Sequence, residues 1–229
     1  MNWLVSDAGM VRKLIIKDWQ VYQKQLAGYV AGMLFALSLI GMGKAWSFSA
    51  GALLLVVLLV VVGSYAIQTS LLAERKEQTV PFIMSLPVTP MDFYWGKLLA
   101  NLVIYLVPFT VVAGGMATVI LTTPLPDGLL VWSVLVSTFM LTSFCVSLCV
   151  AIAVESEGWN VFAMLVLMTL LGPFILWSGR HLDDVGANLG TDNIVWGTST
   201  VGVLVGELLV IVVAIGLTSW VHARKTSFL

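Results

Sequence analysis

The side chains able to do chemistry are few, and they lie apart. Cys145 and Cys149 are the only cysteines of the 229-residue chain, His181 and His222 the only histidines, and Glu207 the one acid deep inside an apolar run. Cysteines four apart on one helix are poorly placed to bridge, and two thiols alone make no metal site. Plain helix packing is expected of them. The histidines sit near the ends of different apolar runs. There is no His-Glu-x-x-His, and no serine, histidine and acid fall at one depth, so no metal centre and no catalytic set are expected. Glu155 and Glu157, two residues apart, share no helical face and read as a solvated loop. No Gly-x-x-x-x-Gly-Lys-Ser/Thr stretch is present to cradle phosphates. The chain is expected to be no enzyme by itself, with no cofactor of its own.

Glu207 is the most informative of these groups. A charged side chain at the centre of a bilayer costs roughly 2.5–3.5 kcal/mol on insertion scales. Counted at 1.5 Å per residue, Glu207 lies about 12 Å in from the nearer end of its run. It binds a cation, relays protons or lines a substrate path, or else it is a neutral or hydrogen-bonded packing residue. Thr200, Val203, Leu204 and Ile211 share its helical face, so its own helix supplies little polar company.

One segment, Ala73 to Lys97, is charged and punctuated by prolines. It begins Glu74-Arg75-Lys76-Glu77-Gln78-Thr79 and continues through Pro81, Phe82, Ile83 and Met84 to Ser85-Leu86-Pro87. Proline is tolerated at the start of a helix and not within it. A short amphipathic helix over residues 79–86, stopped by Pro87, is therefore expected. Thr89-Pro90-Met91-Asp92 then reads as a helix start: Thr89 caps, Pro90 suits the first position and Asp92 suits the positive end of the dipole. Phe82, Ile83, Met84 and Leu86 are too apolar for a loop in water. They need either the membrane surface or a pocket on another protein.

The elements that must position these groups are membrane helices. Hydrophobic residues make up 59% of the chain and charged residues 10%, with mean hydropathy +1.01. An ordinary globular domain carries roughly 25% charged residues, so lipid must be the solvent. Net charge is −1, which gives no attraction to nucleic acid. Six continuous runs are each long enough to span: 26–43, 50–72, 98–122, 129–154, 159–177 and 199–221. Continuous rather than alternating runs imply helices and not a barrel. An all-α protein with a single transmembrane domain over 1–229 follows.

Residues 9–25 read as an amphipathic helix lying in the interface. Val11, Leu14, Ile15, Trp19, Tyr22 and Leu26 form its apolar face, and Arg12, Lys13, Lys17, Gln20 and Lys24 fall elsewhere. This segment does not read as a signal peptide, because five further spans follow. Six spans put both termini on one side. That side holds Arg12, Lys13, Lys17, Lys24, Arg75, Lys76, Lys97, Arg224 and Lys225, against Lys44 and Arg180 on the other. The basic side is the cytoplasm. The outer segment 178–198 is expected to hold a short helix or a re-entrant hairpin. Gly28 with Gly32, and Gly202 with Gly206, are small residues four apart that let helices approach closely.

At residues 74–97 the chain resembles the permease subunits of type-2 ABC transporters. The matching features are the charged stretch Glu74–Thr79, the turn Ser85-Leu86-Pro87, and Gly96-Lys97 opening the third span. The layout of an amphipathic N-terminal helix and six spans is similar too. The resemblance implies that residues 74–90 form a cytoplasmic coupling segment, whose helix Glu74–Leu86 docks on a separate ATP-binding subunit. It also implies that ATP and Mg bind that subunit, and that a second permease copy or a related chain completes a dimer in the inner (plasma) membrane. Gly28 and Gly32 then mark either the dimer seam or packing within one subunit. The direction of transport, export, rests on the resemblance alone. The alternative from a different class is an ATP-independent cation channel or membrane anchor that uses Glu207.

Overall fold

A computed structural model describes residues 8–72, 90–154 and 156–224. Seven α-helices carry the described chain. They are α1 (Ala8–Gly41), α2 (Ala45–Ile67), α3 (Pro90–Thr122), α4 (Leu129–Ala153), α5 (Glu157–His181), α6 (Asp183–Asn188) and α7 (Thr198–Arg224). A single π-helical turn, Gln68–Leu72, extends α2. All but α6 are long and apolar enough to cross a membrane. Helices close every backbone hydrogen bond within the segment, which is what a lipid solvent demands.

The apolar stretches run 15–41, 45–71, 94–122, 129–153, 158–181 and 198–224. Five match the expected spans within a few residues. The first does not. No break separates residues 9–25 from the span that follows: α1 is one helix of 34 residues. At 1.5 Å per residue it is about 50 Å long, against roughly 30 Å of hydrocarbon. Helix α3, with 33 residues, is as long. The two run in the same direction and pack along each other. Asp18, Tyr22, Leu26, Met33 and Ile40 of α1 are all buried. The expected apolar face of the N-terminal segment therefore meets protein at Tyr22 and Leu26.

Helix α4 is the hub, touching α3, α5 and α7. It is 61% buried, against 17% for α5 and 11% for α7. Its sequence explains the position: Ser, Thr and Cys recur along it and let neighbours close in. The hydroxyls cost little, because Ser133, Thr138 and Thr142 donate to carbonyls of their own helix at 2.8–2.9 Å. The lipid-facing surfaces of the other helices carry bare side chains such as Leu53 and Val212.

The expected short helix of the 178–198 segment is α6. Its Val185, with Leu182, packs on Val131 and Leu135 of α4. Asp184 Oδ2 accepts from Ser199 Oγ at 2.7 Å, which sets an acid at the positive end of α7. At the α1–α2 turn Gly43 has φ +66°, a conformation that favours glycine after a helix end.

Candidate functional site

Among the described residues, a buried polar cluster joins the beginnings of α1 and α3 to the end of α2. Lys97 Nζ lies 3.1 Å from Asp18 Oδ2. The two side chains are 2% and 6% exposed. Lysine normally runs its stem along apolar surface and keeps its ammonium in water. Lys97 lies near a helix end yet turns inward. Its carbonyl accepts from Asn101 Nδ2 at 2.9 Å, and Asn101 Oδ1 accepts from Ser70 Oγ at 2.9 Å. Ser70 belongs to the π-helical turn. Such turns occur mostly as single interruptions and often at functional sites.

One turn before Lys97, Tyr94 reaches the other side of the bundle. Its hydroxyl donates to the Ile215 carbonyl of α7 at 3.1 Å. Its ring lies 5.2 Å from that of His222. The first turns of α3 thus touch α1, the end of α2 and α7. Arg224, at the same end of α7, places its guanidinium 3.8 Å above the Trp220 ring, a cation–π contact.

Lys97 was counted only among the basic residues of the cytoplasmic side and as the opening of the third span. Its burial and its pairing with Asp18 were not anticipated. Asp18 was not singled out, although it stands four residues before Tyr22 on the buried stripe. An acid interrupting an apolar stripe was the available signal. Its partner is 79 residues away, a distance that no local periodicity encodes.

The coupling residues expected from the resemblance, Glu74, Arg75, Lys76, Glu77, Gln78, Thr79, Phe82, Ile83, Met84, Ser85 and Leu86, lie outside the described residues, as does Glu155. The flanks of that segment are described. They are the π-helical turn at 68–72 and α3 from Pro90.

Glu207 faces α4 and is 7% exposed. Among the described residues neither of its carboxyl oxygens has a hydrogen-bond partner. Thr142 of α4 donates to the Thr138 carbonyl at 2.9 Å and approaches the Glu207 backbone carbonyl at 3.4 Å, so the side chain gains nothing from it. Thr200, two turns away on the same face, is fully buried and its hydroxyl is also unpartnered. The two are about 10 Å apart along the axis, too far to share one ligand directly.

The glycine pairs divide. A methyl group on Gly28, Gly202 or Gly206 would meet nothing within 4 Å, and on Gly32 it would meet only the Leu58 side chain at 3.3 Å. These are not the places where helices of one chain close in. A tight approach of α2 to α1 is at Gly51, where a Cβ would lie 2.6 Å from Ile40 Cγ1 and 2.7 Å from the Ala36 carbonyl. Ser47 and Gly51 are buried and four apart, the same small-residue spacing.

Cys145 and Cys149 are free and buried. The two histidines stand at opposite ends of the bundle, His181 ending α5 and His222 near the end of α7. Among the described residues no group of three His, Cys, Asp or Glu side chains is placed to hold a metal. An apolar cavity of about 40 Å³ lies between α2, α3, α4 and α5, lined by Gly63, Tyr105, Phe139 and Met168. It has room for waters, whereas drug-sized ligands occupy pockets of roughly 300–1,000 Å³. No family model, no curated protein and no solved structure matches the chain.

Proposed function

We propose that this chain is the membrane permease subunit of an ATP-driven transporter of the type-2 ABC class. The cargo class is a hydrophobic compound, peptide, antibiotic or ion, moved outward. Two permease copies, or one with a related chain, work with two separate ATP-binding subunits that hold ATP and Mg. Both termini and residues 73–89 face the cytoplasm of a cell bounded by its inner (plasma) membrane.

The observation that carries this reading is the sequence Glu74–Leu86. It is charged at its start, apolar at Phe82, Ile83, Met84 and Leu86, bounded by Pro87, and set between two spans. Apolar side chains on a water-facing crossing need a groove to fill. Charges beside them give that docking its register. The cavity between α2, α3, α4 and α5, about 40 Å³, is smaller than a drug-sized compound or peptide needs, which favours a path between permease copies for cargo of that size.

The test is gentle purification of the tagged chain from its native membrane, with mass spectrometry of what stays bound. A stoichiometric ATP-binding protein is expected. Reversing charge at Glu74 and Glu77, or placing proline at Ile83, lowers ATPase coupling and leaves insertion intact. Normal coupling in those variants, or a chain that always comes out alone, refutes the assignment.

A second reading, an ATP-independent cation channel, draws on the unpartnered carboxyl of Glu207. It requires ion flux from the purified chain alone in liposomes, abolished by Glu207→Leu.

A further inference from the structure

Both flanks of the 73–89 crossing are tied into one buried polar line that ends on the first helix. Ser70, three residues before the crossing, donates to Asn101; Asn101 donates to the backbone of Lys97; and Lys97, eight residues after the crossing, pairs with Asp18 of α1. All four residues are 5% exposed or less. Burying an ion pair costs several kcal/mol per ion and is a poor way to gain stability. What it does supply is a fixed geometry. Apolar side chains at these positions would leave the register of α1 and α3 to packing alone, whereas a hydrogen-bonded pair adds a directional constraint at one place.

We propose that this line is the transmission contact of the permease, and that Asp18 and Lys97 are its positioning residues. The proposal rests on the permease reading above. When a closing ATP-binding subunit displaces residues 73–89, Ser70 and Lys97 move together. The ion pair then carries α1 with the start of α3 as one body. Tyr94, through its hydrogen bond to the Ile215 carbonyl, brings the near end of α7 into the same motion. Without the pair only packing along the two helices carries the displacement to α1, and it arrives weakened.

Hydrogen exchange tests this in two settings. In the complex purified from its native membrane, trapping with ATP, Mg and vanadate changes exchange in residues 8–26 of the natural chain. Lys97→Met reduces that change several-fold while the ATP-binding subunit stays bound in the same ratio. Lys97→Arg keeps it, and the exchange of charges D18K/K97D restores it. In the isolated chain in mild detergent, Lys97→Met raises exchange about 100-fold or more in residues 8–26 and 65–72 together, as expected when a buried ion pair is broken. A nucleotide response of α1 that survives Lys97→Met in full overturns the proposal. So does faster exchange confined to α3 in the isolated chain. If no ATP-binding subunit accompanies the natural chain, the permease reading fails, and the isolated-chain measurement decides whether the polar line is one mechanical unit.

Discussion

Gly51→Ala tests a close approach between the backbones of α1 and α2. The added methyl lies 2.7 Å from the Ala36 carbonyl and 3.2 Å from the Ile40 backbone nitrogen, both short of the 3.4 Å where ordinary contact begins. The obstructing atoms belong to the backbone of α1, so no rotamer change relieves them. Helices α1 and α2 must separate near their shared turn. Overpacking of this kind costs about 1–3 kcal/mol. Alanine also returns about 1 kcal/mol over glycine inside a helix, which blurs the single measurement. Gly28→Ala supplies the control, because it gains the same propensity and its methyl meets nothing within 4 Å. Propensity then cancels in the difference between the two variants, leaving about 1–3 kcal/mol against Gly51→Ala. Equilibrium unfolding of the monomeric chain in mixed micelles reads that difference. Equal stabilities would mean that α1 and α2 do not approach as closely as Gly51 indicates. Cross-linking in native membranes adds a second result: if Gly28 marks a seam between copies, Gly28→Ala weakens the dimer without destabilising the monomer.

Glu207→Leu removes a buried carboxyl that has no partner; unfolding in micelles is expected to show it neutral or stabilising by about 1–3 kcal/mol, and a clear loss of stability would reveal a partner. Tyr105 stacks on Phe144 with centroids 3.9 Å apart, while its hydroxyl reaches the Met140 carbonyl only at 3.4 Å. Tyr105→Ala should therefore cost about 3–5 kcal/mol and Tyr105→Phe less than about 0.5 kcal/mol; similar costs for both would place the energy in the hydroxyl. Cys145 and Cys149 are buried, so a membrane-permeant maleimide should leave both unmodified in the folded chain and react with both after unfolding in detergent. Rapid labelling of the folded protein would mean that α4 is not central.

Much of this architecture was legible in the sequence, for a reason particular to lipid. A continuous apolar run of span length has one acceptable structure there, so five helices fall close to where composition puts them. The face of α7 was legible too: Thr200 and Glu207 are buried, with Val203, Leu204 and Ile211 partly so. The first helix was misread because amphipathicity describes a stripe and not what covers it. Residues such as Tyr22 and Leu26 suit the headgroup region and a neighbouring helix equally. Small-residue spacing has the same ambiguity: it marks where approach is allowed, and Ser47–Gly51 used that allowance whereas Gly202–Gly206 did not within this chain. The Asp18–Lys97 pair was hidden more deeply. Each residue alone looks like a charge near a helix end, and only the parallel packing of two helices, 79 residues apart in sequence, joins them.

That separation sets an order on biosynthesis. Asp18 is synthesised well before its lysine, and at 5–20 residues per second the gap lasts roughly 4–16 s. Through that interval the first two helices hold an aspartate whose lysine has not yet been made, beside the membrane they are entering. The first helix therefore completes its docking only when the third is made. A nascent chain arrested before residue 97 lacks the ion pair that joins these two helices, so the final position of the first helix waits on the third.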